Sequence, residues 1–177
     1  MSYLLNWFNY NSLWLVLMPV FLGIYVWLII KVTLKENEWR VLCKIVFGIY
    51  FIVLLLLTVV LRDKCDTTSV CMIPFFIFTL AEKGNTVYRS VFLNVLMFIP
   101  FGLLLPDIVK KKRFQYIITV LIAIFTSIGI EIFQYIFRVG RTEIDDVIFN
   151  TIGVFIGCGI FKFVVKIDKI NQKTKKW

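Results

Sequence analysis

Residues 131–157, EIFQYIFRVGRTEIDDVIFNTIGVFIG, decide the fold because they place polar side chains inside two apolar helices. Glu131 and Gln134 lie in the first helix, and Asn150 lies in the second, beyond a short loop of mixed charge. Ionisable side chains inside a membrane helix are costly and rare, so by default they mark a functional site. The stretch therefore predicts a site held in a membrane-spanning frame.

Composition places the rest of the chain in the same class. The 177 residues are 60% hydrophobic, and the mean hydropathy is +0.87. An apolar run of about 20 residues crosses a bilayer as a helix, because a helix satisfies its own backbone hydrogen bonds. We predict an all-α, polytopic integral membrane helix bundle that forms a single domain over residues 1–177.

Five transmembrane helices are predicted, at residues 13–31, 41–61, 89–105, 115–137 and 147–165. The first two are scaffold helices within residues 1–61, and a basic tail follows at 162–177. Fourteen of the twenty Lys and Arg residues fall in one set of connections and six in the other. Because basic residues favour the cytoplasm, we predict the N-terminus outside and the C-terminus inside. The net charge of +9 therefore reflects topology, and we expect no nucleic-acid partner.

The longest outward connection, residues 62–88, has two features of its own. Cys65 and Cys71 lie on the oxidising side of the membrane, where either a small disulfide loop or two free thiols fits the sequence. The apolar segment 72–80 is too short to span, and Pro74 interrupts it, so we expect an interfacial or re-entrant segment.

Histidine is absent from the chain. Its absence excludes Ser–His and Cys–His nucleophile pairs and every histidine metal site. We expect no cofactor, and the alternative of Mg²⁺ or Ca²⁺ rests on oxygen ligands from Glu143, Asp145 and Asp146.

Polar side chains of three predicted helices converge on one depth. At 1.5 Å per residue, Asn94 and Glu131 lie about 8–9 Å below the outer surface, and Asn150 about 5 Å below it. Positions 127, 131, 134 and 138 share one helix stripe, and positions 146, 150, 153 and 157 share another. We predict that the stripes face each other and form an outward polar pocket. Its binding residues are Asn94, Glu131, Gln134, Arg138, Arg141, Asp145, Asp146 and Asn150.

Each of these residues also has a structural interpretation. The amides can be hydrogen-bonded links between helices, and the glycines at 153 and 157 suit close helix packing. Asp145 and Asp146 suit the N-terminus of the last helix, where the helix dipole favours acidic groups. For Glu131, an ion pair with Arg138 or Arg141 is the alternative to a functional role.

The order of motifs from residue 73 to 159 resembles the VanZ-like family of bacterial membrane proteins. The residues that carry the resemblance are Ile73, Pro74, Phe75, Asn94, Phe98, Pro100, Phe101, Gly102, Pro106, Glu131, Gln134, Arg141, Asp145, Asp146, Val147, Asn150, Thr151, Gly153 and Gly157. One departure is the short T-E-I between Arg141 and the Asp pair. The resemblance implies an association with glycopeptide resistance, notably to the lipid-bearing teicoplanin, and implies no biochemical mechanism.

The sequence is compatible with two functions of different classes, and with a third that ranks below them. In the first, the pocket binds an amphiphile, which is a membrane lipid, a lipid-linked cell-wall precursor or a lipoglycopeptide. In the second, the protein is an intramembrane enzyme that modifies such a molecule, with Glu131 or Asp146 as acid/base or metal ligand. A transporter ranks last, because five helices without an internal repeat would require a homo-oligomer.

Overall fold

The computed structural model describes residues 36–60, 70–76, 79, 85–109 and 113–174. The predicted helix at 13–31, Cys65 and the end of the basic tail lie outside the described residues. The chain divides into two compact units, Met1–Trp39 and Arg40–Trp177, and the fold described below is that of the second unit.

Four long helices account for most of the described chain. Helix α1 spans Glu36–Leu55 and continues as a π-helical segment, Leu56–Val60. Helices α2, α3 and α4 span Asn85–Ile108, Gln115–Phe137 and Ile144–Thr174. Each contains a stretch long and apolar enough to cross a membrane. The predicted all-α membrane helix bundle is confirmed, while the total of five helices and the orientation of the termini stay predictions.

The largest contact between helices joins α2 to α4. A Cβ on Gly153 would overlap the Val95 carbonyl oxygen, and a Cβ on Gly157 would overlap that of Ile99. Only glycine therefore allows the two backbones to approach this closely. The prediction of glycine packing is right. Gly153 and Gly157 face α2, whereas Asn150 of the same stripe contacts Ser127 of the α3 stripe, so the predicted facing of the two stripes is confirmed at Asn150.

The apolar core lies beside this contact. Phe98 and Phe101 of α2 are fully buried, and they pack with Ala123 of α3 and Val154 of α4. Phe47 of α1 meets Phe101 edge-on, with ring centroids 5.2 Å apart. Because lipid tails are as apolar as these side chains, close packing rather than loss of water contact stabilises the bundle.

A sharp reversal connects α3 to α4. Arg138 ends α3 in the left-handed conformation, with φ 55°, and its backbone N–H donates to the carbonyl oxygens of Gln134 and Tyr135. Gly140 follows with φ 71°, a conformation that glycine adopts without strain. Residues 138–143 form this reversal. We call the end of the bundle at which the reversal lies the connection end.

A second segment is attached to the connection end. Strand β1, Val70–Cys71, pairs in parallel with strand β2, Thr142–Glu143, with Val70 opposite Thr142 and Cys71 opposite Glu143. We call this pairing the clasp. Cys71 is a free thiol, and because Cys65 lies outside the described residues, the Cys65–Cys71 disulfide stays a prediction.

Candidate functional site

Six of the eight predicted site residues are buried at the connection end. Asp145 and Asp146 occupy the first turn of α4, where the partial positive charge of the helix N-terminus favours carboxylates. The two arginines differ from the rest, because both side chains are exposed. The buried members are Asn94, Glu131, Gln134, Asp145, Asp146 and Asn150.

Asp146 links α4 to α2. Asn94 Nδ2 donates to Asp146 Oδ1 at 2.5 Å, and both side chains are buried. A hydrogen bond to a charged acceptor is about twice as strong as a neutral one. The bond is therefore a structural link at the same level as the glycine contact, whatever else Asp146 does.

Glu131 links α3 to the connection that follows it. Its Oε2 accepts the backbone N–H of Glu143 at 3.0 Å. Thr142 Oγ1 also lies 3.5 Å from the Glu131 carbonyl oxygen. The carboxylate thus holds strand β2 against α3.

The predicted arginine partner of Glu131 is not found. The structure pairs Arg141 Nε with Glu143 Oε1 at 3.2 Å, and Arg138, within the described part of the chain, forms no ion pair with Glu131. The reason is the reversal at Arg138, which ends the helix stripe and leaves this side chain exposed.

Asp145 holds the segment that carries β1. Its Oδ1 accepts the backbone N–H of Phe75 at 2.5 Å, and Asp145 itself is buried. Phe75 has φ 61°, which is unusual for an aromatic residue. Together with the clasp, this bond fixes residues 70–75 on the connection end.

Gln134 links α3 to α1. Its Nε2 donates to the Thr58 carbonyl oxygen, at 2.8 Å, within the π-helical segment. Sequence reasoning missed Thr58, although π-helical turns are frequent at functional sites. The signal available in the sequence was a threonine near the end of an apolar run, and the structure shows that this residue is buried.

Asn150 and Ser127 join α4 to α3, and one buried amide atom of Asn150 has no hydrogen-bond partner among the described residues. Asn150 Nδ2 donates to Ser127 Oγ at 2.7 Å. Among the described residues, none hydrogen-bonds Asn150 Oδ1, which is buried. Exchanging the amide oxygen and nitrogen would leave the nitrogen unbonded instead. In either orientation, one amide atom therefore lacks a hydrogen-bond partner among the residues that the structure describes.

The acidic side chains in the described part of the chain do not gather into a metal cluster. Among the described residues, no three His, Cys, Asp or Glu side chains lie close enough to hold a metal ion together. Glu143, Asp145 and Asp146 contact different partners, which are Arg141, Phe75 and Asn94. Chemically, the arrangement offers buried acceptors inside and two guanidinium groups outside.

These features define a polytopic membrane protein with a polar, helix-linking cluster at one end of its bundle. The family model for VanZ/LLP1 matches residues 42–165, so the chain belongs to this family. The match begins within α1 and includes the whole cluster.

Comparison with individual proteins gives the same relationship over a shorter stretch. The chain is 40% identical over 90 residues to Protein VanZ of Enterococcus faecium, which is 51% of this chain and 52% of that protein. It therefore matches about half the length of this curated relative. No solved structure matches the chain.

Proposed function

We propose that this VanZ-like protein is a bacterial cell-envelope protein that contributes to glycopeptide resistance by engaging an acidic amphiphile at its connection end. The family and the VanZ relative support the association with resistance. The positive-inside rule supports an outward-facing connection end and a plasma-membrane location.

One observation carries the choice of an acidic ligand, namely the separation of charge at the connection end. Asp145 and Asp146 are turned inward and accept hydrogen bonds from Phe75 and Asn94. The Arg138 and Arg141 side chains are exposed. A ligand that approaches this end therefore meets guanidinium groups first.

Guanidinium groups suit the acidic groups of amphiphiles. The planar fork of N–H donors matches a carboxylate or a phosphate with two parallel hydrogen bonds. Arg141 is 52% exposed although its Nε pairs with Glu143, so its remaining N–H groups are available to a ligand. We propose that Arg138 and Arg141 bind the acidic head of a lipid, a lipid-linked wall precursor or a lipoglycopeptide, and that its hydrocarbon chain lies along the apolar helices.

Teicoplanin susceptibility of a sensitive Gram-positive host that expresses the full chain tests the proposal. The wild type is expected to raise the inhibitory concentration, and Arg141→Ala is expected to abolish most of the increase. Arg113→Ala is the matched control, because Arg113 is also exposed but lies at the opposite end of α3. Membrane abundance is measured for every variant. Equal protection by Arg141→Ala and Arg113→Ala would contradict the role of Arg141.

Glu131→Gln separates binding from catalysis at the same site. The amide introduced by this substitution would still accept the Glu143 N–H through its carbonyl oxygen, but it cannot transfer a proton as a carboxylate does. We expect protection to persist, while Glu131→Ala removes the acceptor and lowers abundance. Complete loss of protection in Glu131→Gln at normal abundance would favour an intramembrane enzyme instead.

A further inference from the structure

The segment that carries the clasp exposes a run of apolar side chains. Val70, Met72, Ile73 and Phe75 are between 46% and 63% exposed. We call these four residues the ledge. Contiguous exposed apolar side chains outside a spanning helix mark an interaction surface, because contact with water is unfavourable for all of them.

The ledge is fixed to the bundle by backbone contacts. β1 pairs with β2 at one end of the segment, and the Phe75 N–H donates to Asp145 at the other. The left-handed conformation of Phe75 is unfavourable for a residue with a Cβ, so these contacts must hold it in place. The exposure of the ledge is therefore a feature of the folded protein and not of a loose loop.

The depth of the ledge follows from the register of the clasp. Cys71 lies opposite Glu143, and the apolar stretch of α4 begins at the next residue, Ile144. The ledge thus lies at the level where α4 enters the membrane. Phe133 and Phe137, in the last turns of α3, stack at 4.1 Å and are exposed at this end.

We propose that the ledge inserts into the interface of the membrane leaflet at the connection end, so that its binding partner is the lipid of that leaflet. The exposed aromatic side chains in the last turns of α3 lie at the same end of the bundle, and aromatic and aliphatic side chains suit this depth. Through the clasp, the ledge also holds Arg141 at the level of the lipid headgroups, where a long basic side chain reaches polar surroundings. This inference does not depend on the ligand proposed above.

Collision measurements on nitroxide labels test the insertion. The full chain, with its native cysteines replaced by alanine, is labelled at Ile73→Cys and studied in phospholipid nanodiscs. Phe125→Cys supplies the lipid reference, since Phe125 is 71% exposed in the middle of α3. Arg141→Cys, at the level of the lipid headgroups, supplies the polar reference. Molecular oxygen concentrates in hydrocarbon, and a nickel chelate stays in water.

For the Ile73→Cys label, the ratio of oxygen collisions to nickel collisions is expected to lie closer to the ratio at the Phe125→Cys label than to the ratio at the Arg141→Cys label. A ratio equal to that of Arg141→Cys would overturn the proposal. Protection of the Ile73→Cys label from both reagents would overturn it as well, because a second copy of the chain would then cover the ledge.

Photo-crosslinking keeps the test independent of the cysteine replacements. Ile73 is replaced by p-benzoylphenylalanine in the otherwise natural chain, and the membranes are irradiated. Phospholipid adducts in the mass spectrum are the expected result. Crosslinked protein dimers without lipid adducts would refute insertion.

Discussion

Gly157 provides the sharpest test of how the bundle is held together. A Cβ added there would overlap the Ile99 carbonyl oxygen and would lie 2.9 Å from Gly102 Cα on the facing helix. Gly159, two residues further along α4, has no atom within 4 Å of the same addition. We therefore expect Gly157→Ala to destabilise the protein and Gly159→Ala to leave it intact.

The magnitude follows from the displacement that the new methyl group requires. Ordinary contacts of a Cβ begin at 3.4 Å, and the Ile99 carbonyl oxygen would lie far inside that distance, so α2 and α4 must move apart by about 1 Å. A gap of about 0.5–1 Å removes a quarter to a half of the dispersion energy of each contact it opens. Overpacked substitutions cost about 1–3 kcal/mol. Alanine also favours the helix by up to about 1 kcal/mol over glycine, but this gain is common to both variants and cancels in their difference.

Equilibrium unfolding in mixed detergent micelles, followed by far-ultraviolet circular dichroism, measures the difference. Gly157→Ala is expected to have a free energy of unfolding about 1–3 kcal/mol below that of Gly159→Ala. Equal stability of the two variants would refute the direct contact between the α2 and α4 backbones.

Two further predictions concern the polar links. In the same unfolding assay, Ser127→Ala is expected to cost about 1–3 kcal/mol because the Asn150 amide loses its hydrogen-bond partner, whereas the double variant Ser127→Ala/Asn150→Leu is expected to cost less; an additive double variant would contradict the pairing. Asp145→Ala is expected to increase the maleimide reactivity of Cys71 in a Cys65→Ser background, because the Phe75 N–H loses its acceptor and the clasp opens. Asp145→Asn keeps an acceptor oxygen and is the matched control. Equal Cys71 reactivity in both variants would argue against a role of the Phe75–Asp145 hydrogen bond in holding the clasp closed.

Helical periodicity predicted the polar stripe of α3 well. Ser127, Glu131 and Gln134 were placed on one face by their spacing, and all three are buried. Spacing alone extended the stripe to Arg138, which the structure excludes because the chain turns into the left-handed conformation there. A helix period continues in the sequence beyond the point where the helix itself ends.

The sequence alone did not predict which distant segments pair with each other. Val70 and Thr142 are far apart in the chain, and a two-residue strand leaves no alternation to recognise. The sequence also did not predict that α2 is the helix packed against the α4 glycines. Small residues predict a close approach of another helix, but they do not indicate which helix it is. Both contacts depend on how the whole bundle closes.

The same closure decides which substitutions can report on function. Glu131, Asp145 and Asp146 each hold two parts of the fold together, so their replacement by alanine lowers stability whether or not they touch a ligand. Leaving a buried partner unsatisfied costs about 1–3 kcal/mol, enough to reduce the amount of folded protein in a membrane. This ambiguity does not apply to the exposed side chains of Arg138 and Arg141. Loss of protection in Arg138 or Arg141 variants at unchanged abundance would therefore speak for ligand binding, whereas the same loss in a carboxylate variant would not.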